Sequence, residues 1–395
     1  MMGIFSVRLL VTITLTLGVL PLWGAENAAI LSVGGLYLNN QAHIADINGD
    51  GLDDILTFSS EQRSAMVLYQ KADGRFYKGL STYLQYDHPE LQIDAFHAGD
   101  FNGDQKLDFL VVYEQRFISF YQGAGTDTFV KAGEFEIPFD LDIISTVGDL
   151  NGDHQMDLLV TTTEASEQQQ LPVFTFAERQ KAGFPLKMKF SQLDLAKISP
   201  TNRPLFEIDE LRVVRRANNV AGVVMLDIRY SRMFSIDVID GGANFRAQQI
   251  FTVPFKPYGI ELFDLNQDGV DDLLLSPMFP RRKWISHIWL GADQVIGGFK
   301  FHQELITGVQ LVGSSVGHFS SKQQRQLAIG SEFEKSIRIY NIGSDDKISR
   351  RPVNNWKLPA RPSIISSMSR VEDNKPLTSL MALISGDSKV LLIKQ

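Results

Sequence analysis

The sequence contains no cysteine. No disulfide can staple the fold, no thiolate can serve as nucleophile or ligand, and no lipid can be attached to a cysteine at a processed N-terminus. Cations are in deficit, 38 Lys and Arg against 46 Asp and Glu, for a formal net charge of −8. Binding to nucleic acid needs clustered basic residues, and the main basic run, Arg281-Arg282-Lys283-Trp284, reads as a solvated loop. Nucleic acid is therefore not an expected partner. Long apolar runs are also lacking. The run from Leu9 to Trp23 is shorter than the ~20 residues of a membrane span. Behind Arg8, the only charge before Glu26, it reads as the core of a secretory signal. Residues 1–25 are assigned to that signal and residues 26–395 to one domain. The mature chain is expected in the periplasm or cell exterior, as a monomer without a membrane span. A nucleophile elbow, a glycine-rich phosphate loop, an HExxH helix and a zinc-ligand spacing among the seven histidines are all missing. No catalytic residue and no organic cofactor site is assigned.

What is present is a repeat. Asp46, Asn48, Asp50 and Asp54 stand at relative positions 1, 3, 5 and 9 of a nine-residue segment. The same four residue types recur at Asp100, Asn102, Asp104 and Asp108, at Asp149, Asn151, Asp153 and Asp157, and at Asp264, Asn266, Asp268 and Asp272. The gap from 149 to 264 is about twice the others, so a degenerate unit is expected within Leu211–Ile228. Two more weak copies follow, at Gly317–Ile329 and from Ser367 through Asp373. Seven units of about fifty residues result. In each, short apolar runs separated by turns suggest four strands, as Ile55-Leu-Thr-Phe and Ala65-Met-Val-Leu-Tyr do after the first Asp segment. Four strands per unit at this pitch describe an all-β, seven-bladed β-propeller. The last unit stops after Lys389-Val-Leu-Leu-Ile with no fourth strand, while Ala28–Val33 precedes the first unit. Strand exchange between the two ends is expected to close the ring and remove exposed sheet edges.

The Asp segments read as calcium loops. Calcium takes six to eight oxygens at ~2.3–2.6 Å, and positions 1, 3, 5 and 9 supply oxygen side chains around one point. The position-7 carbonyls of Leu52, Lys106, Gln155 and Val270 are expected to add a further ligand. About four Ca2+ ions are therefore expected. The first half of each segment is like an EF-hand loop, but position 12 is Thr57, Val111, Val160 or Leu275 where that motif needs a bidentate Glu. Helical calcium modules are rejected.

On these residues the chain resembles the FG-GAP and VCBS repeat family, the calcium-loop propellers also found in integrin α-subunits. The resemblance implies a seven-bladed propeller with calcium in hairpins between the first and second strands of a blade. It also implies an exported binding, adhesion or scaffold module, whose protein or glycan ligand is unknown. The sixth unit carries His318, Ser320, Lys322 and Gln326 in the ligand places and is expected to be free of metal. The alternative is a carbohydrate-active lyase or hydrolase at the channel mouth. It draws on His43, His97, Thr146, Glu261 and Ser315, each three residues before a loop. Such a polar ring could hold a metal or act as acid and base; the plainer reading is a wetted channel wall.

Overall fold

The computed structural model describes residues 28–32 and 42–393, except 61, 74, 85–91, 115, 138–141, 165–169, 181–182, 195–207, 218–220, 240–243, 280–283, 293–297, 322, 373–374 and 385–388. The signal expected at 1–25, the basic run at 281–283, Asn218, Lys322 and Asp373 lie outside the described residues.

All named elements are strands. Six four-stranded antiparallel sheets are each cut from one continuous stretch. The first holds β2 (Ala42–Ala45), β3 (Asp54–Ser59), β4 (Ser64–Gln70) and β5 (Phe76–Tyr83). The second holds β6 (Ile93–Gly99), β7 (Asp108–Tyr113), β8 (Phe117–Gly123) and β9 (Phe129–Glu136). The third holds β10 (Ile143–Gly148), β11 (Asp157–Thr162), β12 (Gln170–Gln180) and β13 (Gly183–Asp194). The fourth holds β14 (Glu210–Arg215), β15 (Ala221–Asp227), β16 (Arg232–Ile239) and β17 (Asn244–Thr252). The fifth holds β18 (Pro257–Phe263), β19 (Asp272–Pro277), β20 (Ile285–Gly291) and β21 (Phe299–Ile306). The sixth holds β22 (Leu311–Gly317), β23 (Gln326–Ser331), β24 (Ser336–Asn341) and β25 (Asn354–Lys357).

The rest of the chain corrects the expectation of seven like repeats. Six blades are continuous units, and the remaining four-stranded sheet is a composite. Its strands are β26 (Pro362–Glu372), β27 (Lys375–Ile384) and β28 (Lys389–Ile393), completed by β1 (Ala28–Ser32). The outer place beside β28 is filled by β1, with Ala28 opposite Ile393 and Ser32 opposite Lys389.

Period-two alternation explains the radial packing. On β7, Phe109, Val111 and Tyr113 face the first sheet and join a cluster with Leu56, Val67 and Phe96. Leu110 and Val112 face the third sheet and meet Leu158, Val160 and Phe174. Further clusters join the third sheet to the fourth, the fourth to the fifth, the fifth to the sixth, and the sixth to the composite sheet. Every residue of β3, β7, β11, β15, β19 and β23 is buried. That is why these second strands read as continuous apolar runs rather than alternating ones. The first strands of successive sheets touch one another from β6 through β10, β14, β18 and β22 to β26, so they form the inner wall of the propeller.

Candidate functional site: four acidic hairpin loops

All four Asp segments lie in the hairpin between the first and second strand of a blade: β2–β3, β6–β7, β10–β11 and β18–β19. Short polar side chains fold them by capturing local backbone N–H groups. In the first loop Asp46 Oδ1 accepts from Gly49 N (2.8 Å) and Asp50 N (3.0 Å), and Asp46 Oδ2 from Gly51 N (2.8 Å). Asn48 Oδ1 accepts from Asp50 N at 2.9 Å, and Asp50 Oδ1 from Leu52 N at 2.9 Å. All five bonds recur around Asp149, Asn151 and Asp153, and four of the five around Asp100, Asn102 and Asp104 and around Asp264, Asn266 and Asp268. The loops thus share one conformation, curled about the oxygens of positions 1, 3 and 5.

Two left-handed residues make that curl. Position 4 has φ of +76° at Gly49, +80° at Gly103 and Gly152, and +62° at Gln267. Position 6 has φ of +83° at Gly51 and Gly269, and +63° at Gln105 and His154. The Asn-Gly step announced the first; the second carried no uniform signal, because two of its four residues are not glycine.

The position-9 carboxylates do more than their spacing suggested. Asp54, Asp108, Asp157 and Asp272 are fully buried. Each accepts from the N–H of the second loop residue: Ile47 at 3.1 Å, Phe101 at 3.1 Å, Leu150 at 2.8 Å and Leu265 at 2.7 Å. Asp54, Asp108 and Asp272 also accept from the last residue of the third strand, Gln70, Gly123 and Gly291. Burial pushes Asp54 up to about 6 and Asp108 and Asp272 up to about 7. The other two carboxylates of each loop add to the rise, and the N–H bonds oppose it. Among the described residues, Asp100, Asp104 and Asp108 form the one trio of His, Asp or Glu whose ligand atoms lie within 4.8 Å of one another.

The degenerate units differ in length as well as composition. In the fourth blade Arg215 pairs with Ala221, a shorter hairpin than the one between Gly99 and Asp108. Arg216 is buried at its base, bonded to Ser235 Oγ and with Cζ 5.0 Å from the centre of the Phe299 ring. In the composite sheet Glu372 pairs with Lys375, which leaves no room for a nine-residue loop. The sixth hairpin keeps full length, Gly317 pairing with Gln326. There Gln326 takes the place of the position-9 Asp: its Oε1 accepts from Phe319 N at 3.1 Å, and its Nε2 reaches Asn341 Oδ1, at the end of the third strand, at 2.9 Å.

His43, His97, Thr146, Glu261 and Ser315 all lie on first strands. Two of them, His97 and Glu261, bond to the following blade. His97 Nε2 lies 2.9 Å from Ser145 Oγ of the next blade. Glu261 Oε1 accepts from Gly313 N of the sixth blade at 2.9 Å, and Glu210 Oε2 from Ile260 N of the fifth at 2.8 Å. Arg212 pairs with Glu210 at 2.6 Å. Burial lowers His97 to about 4, with the nearby Arg212 charge adding, and raises Glu261 to about 7 against its N–H bonds. Burial likewise depresses His43 and raises Glu210.

No described helix is long and apolar enough to cross a membrane. No curated protein matches the chain. One similar solved chain belongs to a crystal structure of BBS1N in complex with ARL6DN, soaked with lead. It has a TM-score of 0.57 and 10% sequence identity, and the alignment covers 93% of this chain and 96% of that one. At that identity the likeness concerns the fold alone. A family model for the FG-GAP-like repeat matches residues 46–111 and 100–160, each match opening on the first Asp of a loop. The chain thus folds as a β-propeller whose residues 46–160 match two adjacent FG-GAP-like repeats.

Proposed function

We propose that the chain is an exported, calcium-binding β-propeller that serves as a binding or scaffold module. One observation carries the calcium reading: four separate hairpins adopt one conformation, curled around the same oxygen side chains. The donor set is all hard oxygen, two carboxylates and an amide at positions 1, 3 and 5 with a buried carboxylate at position 9, and this suits calcium better than softer metals. Asp46, Asn48, Asp50 and Asp54 would hold one ion together with the Leu52 carbonyl. The matching sets would hold the others, with the carbonyls of Lys106, Gln155 and Val270. The ion would supply charge compensation to carboxylates that otherwise repel one another.

The inner wall supports a binding role over catalysis. Glu210 and Glu261, two half-buried acids on it, accept from backbone N–H groups of the following blade. We also count the composite sheet as the seventh blade, because β26 packs on β22 and β23 of the sixth. Export rests on the apolar run Leu9 to Trp23.

Native mass spectrometry of the secreted chain tests the reading. Four bound calcium ions and an N-terminus near residue 26 are expected; no ions would show that the loops are turns alone. A glycan array and a pull-down with the mature chain then identify the ligand class.

A further inference from the structure

The four loops differ in one respect. In three of them the position-3 Asn turns its Nδ2 onto the position-5 carboxylate. Asn48 reaches Asp50 Oδ2 at 3.1 Å, Asn151 reaches Asp153 Oδ2 at 3.2 Å, and Asn266 reaches Asp268 Oδ2 at 2.8 Å. Each bond engages a carboxylate oxygen that a cation would have to reclaim. In the second loop Asn102 Nδ2 is buried without an acceptor. Asp104 Oδ2 takes only a long 3.3 Å bond, from Gln122 Nε2. This is also the loop whose three carboxylates already converge.

The neighbouring blade packs against this loop. Met156 N donates to Asp100 O at 3.0 Å, fastening position 8 of the third loop to position 1 of the second. Beside it, Gln155 lays its carboxamide on Gly103, so close that a Cβ there would sit 2.4 Å from Oε1. Gln155 Oε1 is itself buried without a donor. A buried donor and a buried acceptor, both unsatisfied, therefore lie beside the same glycine.

We propose that Gln155 of the third repeat is a positioning residue for the second loop, holding the Asn102 amide away from Asp104 and making this loop the tightest of the four cation sites. The inference rests on the calcium reading above. Its physical basis is preorganisation: the second loop has no Asn–Asp bond to break before its oxygens can face an ion. Gly103 lets the Gln155 carboxamide lie this close, since a side chain there would push it aside.

Calorimetric calcium titration of the full mature chain, with ions counted by native mass spectrometry, tests this. The tightest binding event is expected to vanish in Asp104→Ala. Gln155→Leu should weaken that same event by about tenfold, the scale of losing a group that orients a metal ligand. Gln155→Glu, which keeps an acceptor oxygen, should restore it. Across a double-mutant cycle the effect of Gln155→Leu should disappear once Asp104 is Ala. If Gln155→Leu weakens an event that survives Asp104→Ala, the residue serves its own loop and the inference falls. It falls also if Leu and Glu act alike. Wild-type protein that binds no ion at all would overturn the calcium reading, and this inference with it.

Discussion

Asp108 accepts from Phe101 N and Gly123 N, two buried donors. Removing it strands both, at about 1–3 kcal/mol for each unpaired group. Asp104 is exposed and accepts from one N–H of its own loop. In chelator, Asp108→Ala should therefore lower stability by about 2–4 kcal/mol, while Asp104→Ala should change it by less than about 1 kcal/mol. Urea denaturation of both variants is the check; equal losses would mean that position 9 is no more a pin than position 5. Gln326 shows the same division from the other side. That hairpin has no acidic set at positions 1 and 3, His318 and Ser320 standing there, yet an oxygen acceptor persists at position 9. The spacing made the position-9 Asp legible as a ligand. Its second duty was illegible, because the donors it satisfies come from a third strand sixteen residues away in one blade and fifteen in another.

At the scale of the element, the loop and the second strand are separate devices joined at position 9. The strand is held by packing: the Phe109 ring lies 4.7 Å from Tyr121, 4.9 Å from Phe129 and 5.2 Å from Phe96, centre to centre. Phe109→Ala should cost about 3–5 kcal/mol through the cavity it leaves, with or without calcium. A loss confined to one of the two conditions would contradict that separation. Asp104→Ala should remove one bound calcium and leave three, because repeats couple mainly to their neighbours; native mass spectrometry counts them. Four of the hairpins were plain in the sequence, since all four oxygens recur at fixed spacing. The fourth hairpin could be placed only roughly, because Arg215 and Arg216 had replaced the Asp signature and the loop had shortened. Likewise, the inner-strand polar residues could be read as a ring. That His97 and Glu261 bond to the following blade needed the register of two strands at once.

For the whole molecule, the inner wall makes stability depend on pH. Burial raises Glu261 from its ordinary 4.5 to about 7. Between those values the folded chain holds a proton that the unfolded chain has lost, so this group's contribution falls as pH rises through the window. Glu261→Gln keeps an acceptor for Gly313 N and removes the charge. Its melting point should decline less than the wild type's between pH 5 and pH 8, and an identical slope would assign the pH dependence elsewhere. The ring also depends on its ends. Deleting β1 leaves β28 as an unpaired edge, and such edges template aggregation. Deletion of residues 26–34 should therefore cause aggregation or a large drop in melting point with every Asp loop intact. A monomer of unchanged stability would remove the composite sheet from the ring. The pairing of Ala28 with Ile393 also sets an order in time. A chain made from its N-terminus presents β1 before the other strands and its partner β28 after them. Six blades can stack as they appear, but the composite sheet must wait for β28. Until then β1 is an unpaired apolar strand, a natural client for a holding chaperone, and a chain cut short near its C-terminus would keep it so.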